Sequence, residues 1–83
     1  MQNFKILHET ETRLRIKVAG FKGLDASAFT RSVAKFQGVQ DARFNAKIGS
    51  LIVKFNDGSK KKKFLTELNS LNLADFKPNF IHS

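Results

Sequence analysis

The sequence predicts an α+β domain in which one four-stranded antiparallel sheet is covered on a single face by two helices. Three observations predict it. Arg13, Leu14, Arg15, Ile16, Lys17 and Val18 alternate strictly between charged and apolar residues, the period of a strand with one buried and one wet face. Phe29, Val33 and Phe36, and again Phe64, Leu68 and Leu71, recur at spacings of four and three, which makes one apolar stripe on a helix. Glycines and an Asn56-Asp57-Gly58 cluster separate these stretches, as turns require.

Taken in order, residues 4–8 look extended, and residues 9–12 interrupt the alternation before Arg13. The first strand is therefore expected as one bulged strand or two pieces. Gly20 and Gly23 punctuate a loop, and Asp25 sits where a helix N-cap belongs, since its carboxylate can accept from the first free backbone N–H groups. That helix is expected to run to about Gln37 and to stop at Gly38. Val39, Ala42 and Phe44 begin a second strand, Gly49 marks a hairpin turn over 47–50, and Leu51, Val53 and Phe55 give a third strand. Ser59 is the expected cap of the second helix, whose buried side is Phe64, Leu65, Leu68 and Leu71. A last strand is expected where Phe76, Pro78 and Phe80 share a face, at a sheet edge because proline lacks an N–H.

The order strand, helix, strand, strand, helix, strand, with right-handed crossovers, fits the ferredoxin-like βαββαβ sandwich with strand order 4-1-3-2. The expected core is Leu14, Ile16, Val18, Phe29, Val33, Phe36, Phe44, Leu51, Val53, Phe55, Phe64, Leu68 and Leu71. The 83 residues suit one domain, because a chain this short encloses a single core. An apolar share of 41% with nine Phe argues against global disorder.

Composition also limits the chemistry. The chain has no Cys, which removes disulfides, thiolate metal sites and a thiol nucleophile. No Ser-His-Asp pattern, P-loop, HExxH or EF-hand spacing is present, so no enzymatic activity and no cofactor are expected. No apolar run approaches the ~20 residues that span a bilayer, and the opening residues lack a signal-peptide core. A cytoplasmic domain is expected, free-standing or as the soluble part of a membrane protein. Fifteen Lys and Arg against seven Asp and Glu give a charge of +8, which favours anionic partners: an acidic protein, nucleic acid or an anionic lipid surface.

The segment Val18, Ala19, Gly20, Phe21, Lys22, Gly23, Leu24, Asp25, Ala26, then Gly38, Val39, Phe44, Asn45, Gly49, Ser50 and Leu51 resembles the heavy-metal-associated domain. These are the small modules of metallochaperones and of the N-termini of P-type metal ATPases. The resemblance covers residues 5–71. In that family the first loop reads Gly-Met-x-Cys-x-x-Cys; here Phe21 replaces Met, and Gly23 and Ala26 replace the two Cys. Soft ions need sulfur donors, so the loop is expected to bind no soft metal. A divergent branch ahead of P-type ATPases carries a His and then Arg-x-Arg in its first strand, matched by His8, Arg13 and Arg15, with Thr12 where that branch has Gly. The resemblance implies a docking or regulatory module linked to cation transport, with a protein partner or the ATPase core as its target.

Several residues are candidates for binding. If Leu14, Ile16 and Val18 face the helices, then Arg13, Arg15, Lys17, Arg43 and Lys54 form a basic open face. It is either a docking surface for acidic groups or phosphates, or a solvated face of an antiparallel sheet. RNA-recognition motifs share the topology but place aromatics where Ser50 and Ile52 stand here, so the base-stacking platform is missing. Lys60, Lys61, Lys62 and Lys63 open the second helix, where the helix dipole disfavours cations by roughly 0.3–1 kcal/mol each. They are either a membrane-surface contact or a solubilising turn. Phe21 is a candidate aromatic anchor for a protein. His8 and His82, with Glu9 or Glu11, are weak candidates for a divalent metal, and surface imidazoles without a fixed third ligand are the simpler reading.

Overall fold

A computed structural model of the chain describes residues 4–77. They form β1 (Phe4–Glu9), β2 (Arg13–Val18), α1 (Ala26–Ala34), β3 (Val39–Asn45), β4 (Ser50–Phe55) and α2 (Lys61–Ser70). Short 3₁₀ turns occupy Gly58–Lys60 and Leu73–Phe76. The four strands make one sheet in the order β1-β2-β4-β3, every neighbouring pair antiparallel.

This order corrects the expected 4-1-3-2. The alternating strand, the third and the second lie side by side as expected, as β2-β4-β3. The edge beside β2, however, is taken by β1: of the two forms expected for the first strand the chain takes the two pieces, joined by a hairpin turn at 10–12. A bulge lies inside β1, where the register shifts between Ile6, opposite Ile16, and His8, opposite Arg15. Phe76, expected in a last strand, belongs to a 3₁₀ turn; Pro78 and Phe80 lie outside the described residues.

Both helices bury their stripes on the same side of the sheet. Phe29 and Val33 of α1 and Phe64 and Leu68 of α2 join Leu14, Ile16, Val18, Leu51, Val53 and Phe55 in a single cluster. Of the expected core, Phe36, Phe44 and Leu71 are only partly buried at its rim. Phe29 meets Phe44 and Phe76 edge to face, at centroid distances of 5.3 and 5.5 Å, the arrangement that ring quadrupoles favour. The backbone N–H of Asp25 donates to the Phe76 carbonyl at 2.7 Å, which ties the end of the described chain to the start of α1.

The caps follow the sequence in one helix and not in the other. Asp25 accepts from the Ala28 N–H at 3.1 Å, as an N-cap should. Helix α1 ends at Ala34, short of Gln37, in a turn closed by Gly38 at φ 86°. Asp57, not Ser59, caps the turn leading into α2, accepting from the Ser59 N–H at 3.1 Å. Donation from Ser59, first by its backbone N–H and then by its side chain, holds the Asp57 carboxyl below its ordinary 3.8.

Candidate functional site: a basic open sheet face

The face of the sheet away from the helices is built by strand parity. In β2, Leu14, Ile16 and Val18 are buried while Arg13, Arg15 and Lys17 are exposed. Pairing carries the same parity to the neighbours: Arg13 stands opposite Lys54, Arg15 opposite Ile52, and Lys17 opposite Ser50. On β3, Arg43 is opposite Ile52. The five cations expected together are therefore on one face. Strand β1 adds two residues that the sequence reading did not place there, Lys5 opposite Lys17 and His8 opposite Arg15. Their signal was the extended stretch 4–8, whose pairing partner is visible only once the hairpin is known.

Two directly opposed pairs on this face, Lys5 with Lys17 and Arg13 with Lys54, are like-charged. Like charges in that position destabilise a sheet. Asp41 on β3 is the acidic counterpart: it stands opposite Lys54 on the side away from Arg13 and pairs with Arg43 at 3.3 Å, where both side chains are largely exposed, so that ion pair contributes little to stability.

The loop after β2 folds back onto the sheet. Gly49 has φ 69°, and a Cβ there would come within 2.5 Å of the Phe21 ring. Phe21 is thus half-buried against the β3–β4 turn rather than a free aromatic anchor. The Lys17 ammonium lies 5.5 Å from the Phe21 ring centroid, within cation–π range, and donates to the Ile48 carbonyl.

The four consecutive lysines have different surroundings. The stem of Lys60 lies over Gly38, where a Cβ would be 2.5 Å away. Lys61 is only 15% exposed at its side chain and reaches Glu9 at 2.7 Å and the Thr10 carbonyl at 2.6 Å. Lys63 donates to the Gln37 side chain at 2.9 Å, and Lys62 is exposed. The run thus spends part of its charge holding α2 against the β1–β2 turn and the end of α1.

Glu9 is committed to Lys61, Glu11 is exposed, and His82 lies outside the described residues. Among the described residues, no three His, Asp or Glu side chains cluster as metal ligands would. No helix among them is long and apolar enough to cross a membrane. No family model matches the chain, and neither does a curated protein or a solved structure.

Proposed function

We propose that the chain is a non-catalytic binding module that docks an acidic protein surface on the open face of its sheet. The observation that carries this reading is the pair of like-charged cross-strand contacts, Lys5 with Lys17 and Arg13 with Lys54. A face that served only solubility has no need to set cations directly against each other across a ladder, whereas an anionic partner turns that repulsion into attraction. Nucleic acid and anionic lipid are the alternative partners. The missing stacking platform weighs against the first. The structural commitments of Lys60, Lys61 and Lys63 weigh against a lysine-run contact with the second.

A narrower form of the reading makes this a heavy-metal-associated-like module of ferredoxin-like plan, linked to P-type cation transport, that has exchanged metal capture for protein contact. Support comes from the β2-loop-α1 segment, in which Gly20 and Gly23 both have positive φ ahead of an Asp-capped helix, and from the β2-β4-β3 order. The presence of β1 at the sheet edge is not part of that plan.

The test is binding to poly-glutamate, a model acidic chain, followed by fluorescence anisotropy at low and high salt. Replacing Arg13 and Arg15 by Gln is expected to weaken binding severalfold while shifting stability within about 0.5 kcal/mol, the usual range for exposed sites. Wild-type binding should also fall with salt, as exposed charges are screened over about 8 Å at physiological ionic strength. Equal binding by the double variant at both salts refutes the face. Tighter binding to single-stranded DNA or to phosphatidylserine vesicles than to poly-glutamate moves the partner to those classes. A reading frame that continues into a membrane region and a phosphorylated-aspartate ATPase core favours the narrower form.

A further inference from the structure

Ser50 is the one polar residue fully buried among those described, at 3% exposure, and its Oγ has no hydrogen-bond partner. Buried hydroxyls are normally paired, and leaving one unpaired costs more than a surface hydrogen bond contributes. The strand offers no packing reason for a hydroxyl here. Leu51, Val53 and Phe55 fill the core from the opposite face of β4, while Ser50 alternates with them and stands across from Lys17 on one side and Asn45 on the other.

The residue lines a depression of about 520 Å³ at the end of the open face, together with Arg43, Asn45, Lys47 and Ile52. Every polar side chain in this group can donate. The Asn45 Oδ1 already accepts from the Lys47 N–H at 3.0 Å, so its NH₂ group is the part left to bind. Arg43 uses Nε on Asp41 at 3.3 Å, which leaves the terminal nitrogens of its guanidinium. Lys17 adds positive potential from β2 while its ammonium is held by the Ile48 carbonyl and the Phe21 ring.

We propose that this end of the face is a subsite for a phosphate group, with Ser50, Asn45, Arg43 and Lys47 as its donors. The inference rests on the reading of the open face as an anion-docking surface, and it names the anion that one end of it takes. Donors arrive from β3, from the turn after it and from β4, and two of them are full cations. A tetrahedral dianion with three terminal oxygens uses such a set. A carboxylate, planar and singly charged, leaves part of it unused. The half-buried Ile52 in the lining gives the carbon side of a phosphate ester an apolar contact. The ligand class is therefore a phosphate monoester, either a small soluble one or a lipid headgroup.

The experiment is a titration of the isotope-labelled chain with inorganic phosphate against chloride at matched ionic strength, read by amide chemical shifts. Saturable shifts are expected at Asn45, Lys47, Ser50 and Ile52. Ser50→Ala should weaken phosphate about tenfold, equivalent to ~1.4 kcal/mol, without lowering the melting temperature, because the hydroxyl it removes has no partner to lose. Lys62→Gln, exposed on α2 and outside the open face, should leave phosphate affinity within a factor of about two, since distant sites behave independently. Vesicles carrying phosphatidate form the second arm. Binding there that exceeds binding to inorganic phosphate and is lost in Ser50→Ala assigns the subsite to a lipid headgroup, and the reverse ranking assigns it to a soluble ester. Absence of saturable shifts up to tens of millimolar phosphate overturns the subsite, as do equal affinities for wild type and Ser50→Ala. Neither result bears on the docking reading, which is judged by Arg13 and Arg15 on poly-glutamate.

Discussion

Replacing Arg13 by Gln tests whether the open face is kept charged against the interests of the fold. Arg13 stands directly opposite Lys54, and the Cβ atoms of such residues are about 5 Å apart. Two unit charges at that spacing repel by ~0.8 kcal/mol in bulk water. Screening over about 8 Å reduces this to ~0.4 kcal/mol at physiological salt, and over about 3 Å at 1 M it falls below ~0.2 kcal/mol. These are ceilings, because long side chains splay apart. Asp41, opposite Lys54 on its other side and so about 10 Å from Arg13, attracts Arg13 by ~0.3 kcal/mol at about 10 mM salt, and the variant should therefore be more stable than wild type by up to ~0.4 kcal/mol there. A domain of this size gains about 4–8 °C per kcal/mol, so the melting temperature should rise by up to about 3 °C. The assay is thermal unfolding of both proteins in low salt and in 1 M salt. A loss of stability at low salt shows that Arg13 is structural, and a gain that persists unchanged in concentrated salt shows that repulsion is not its cause; either result refutes the reasoning.

Phe29 is fully buried between Phe44 and Phe76, so Phe29→Ala should cost ~3–5 kcal/mol. That is a large part of the ~4–12 kcal/mol expected for a domain of this length. Urea unfolding measures it, and a cost below ~1.5 kcal/mol contradicts the packing. The pH dependence has a definite sign at Asp57, whose folded carboxyl lies below 3.8 because Ser59 donates to it. Its contribution is present above the unfolded value and is lost as pH falls through the folded one; a carboxyl chemical-shift titration that places its midpoint at or above 3.8 rules the cap out.

Where the sequence was informative, one periodicity dominated. The alternation from Arg13 to Val18 specified both the strand and its two faces, since a period of two leaves no choice once one face is apolar. The turn at residues 10–12 was hidden for a physical reason. It uses no glycine or Asn-Gly pair, the usual hairpin signal. Thr10 closes it instead, donating its N–H to the Arg13 carbonyl at 2.9 Å and accepting the Arg13 N–H on its hydroxyl at 3.1 Å. Lys61, distant in the chain, then holds the Thr10 carbonyl and Glu9. A contact of that range leaves no local trace. The lysine run misled in the same way, because four identical neighbours look equivalent until the turn places one over Gly38, one on Glu9 and one on Gln37. Ser50 was read as the end of a turn and as a missing aromatic, and its burial became visible once it opened β4, flanked by β2 and β3.

The strand order also divides the sheet into unequal joints. Strands β1 and β2 are neighbours in the chain, as are β3 and β4, and each pair meets across a turn of a few residues. Only the β2–β4 pairing is non-local, so most of the entropy of bringing distant chain segments together falls on that one seam. Its two sides oppose each other. Leu14 against Val53 and Ile16 against Leu51 draw the halves together inside the core, while Arg13 against Lys54 pushes them apart in the solvent. The molecule is in this sense two hairpins joined along a line whose apolar side must outweigh its charged one.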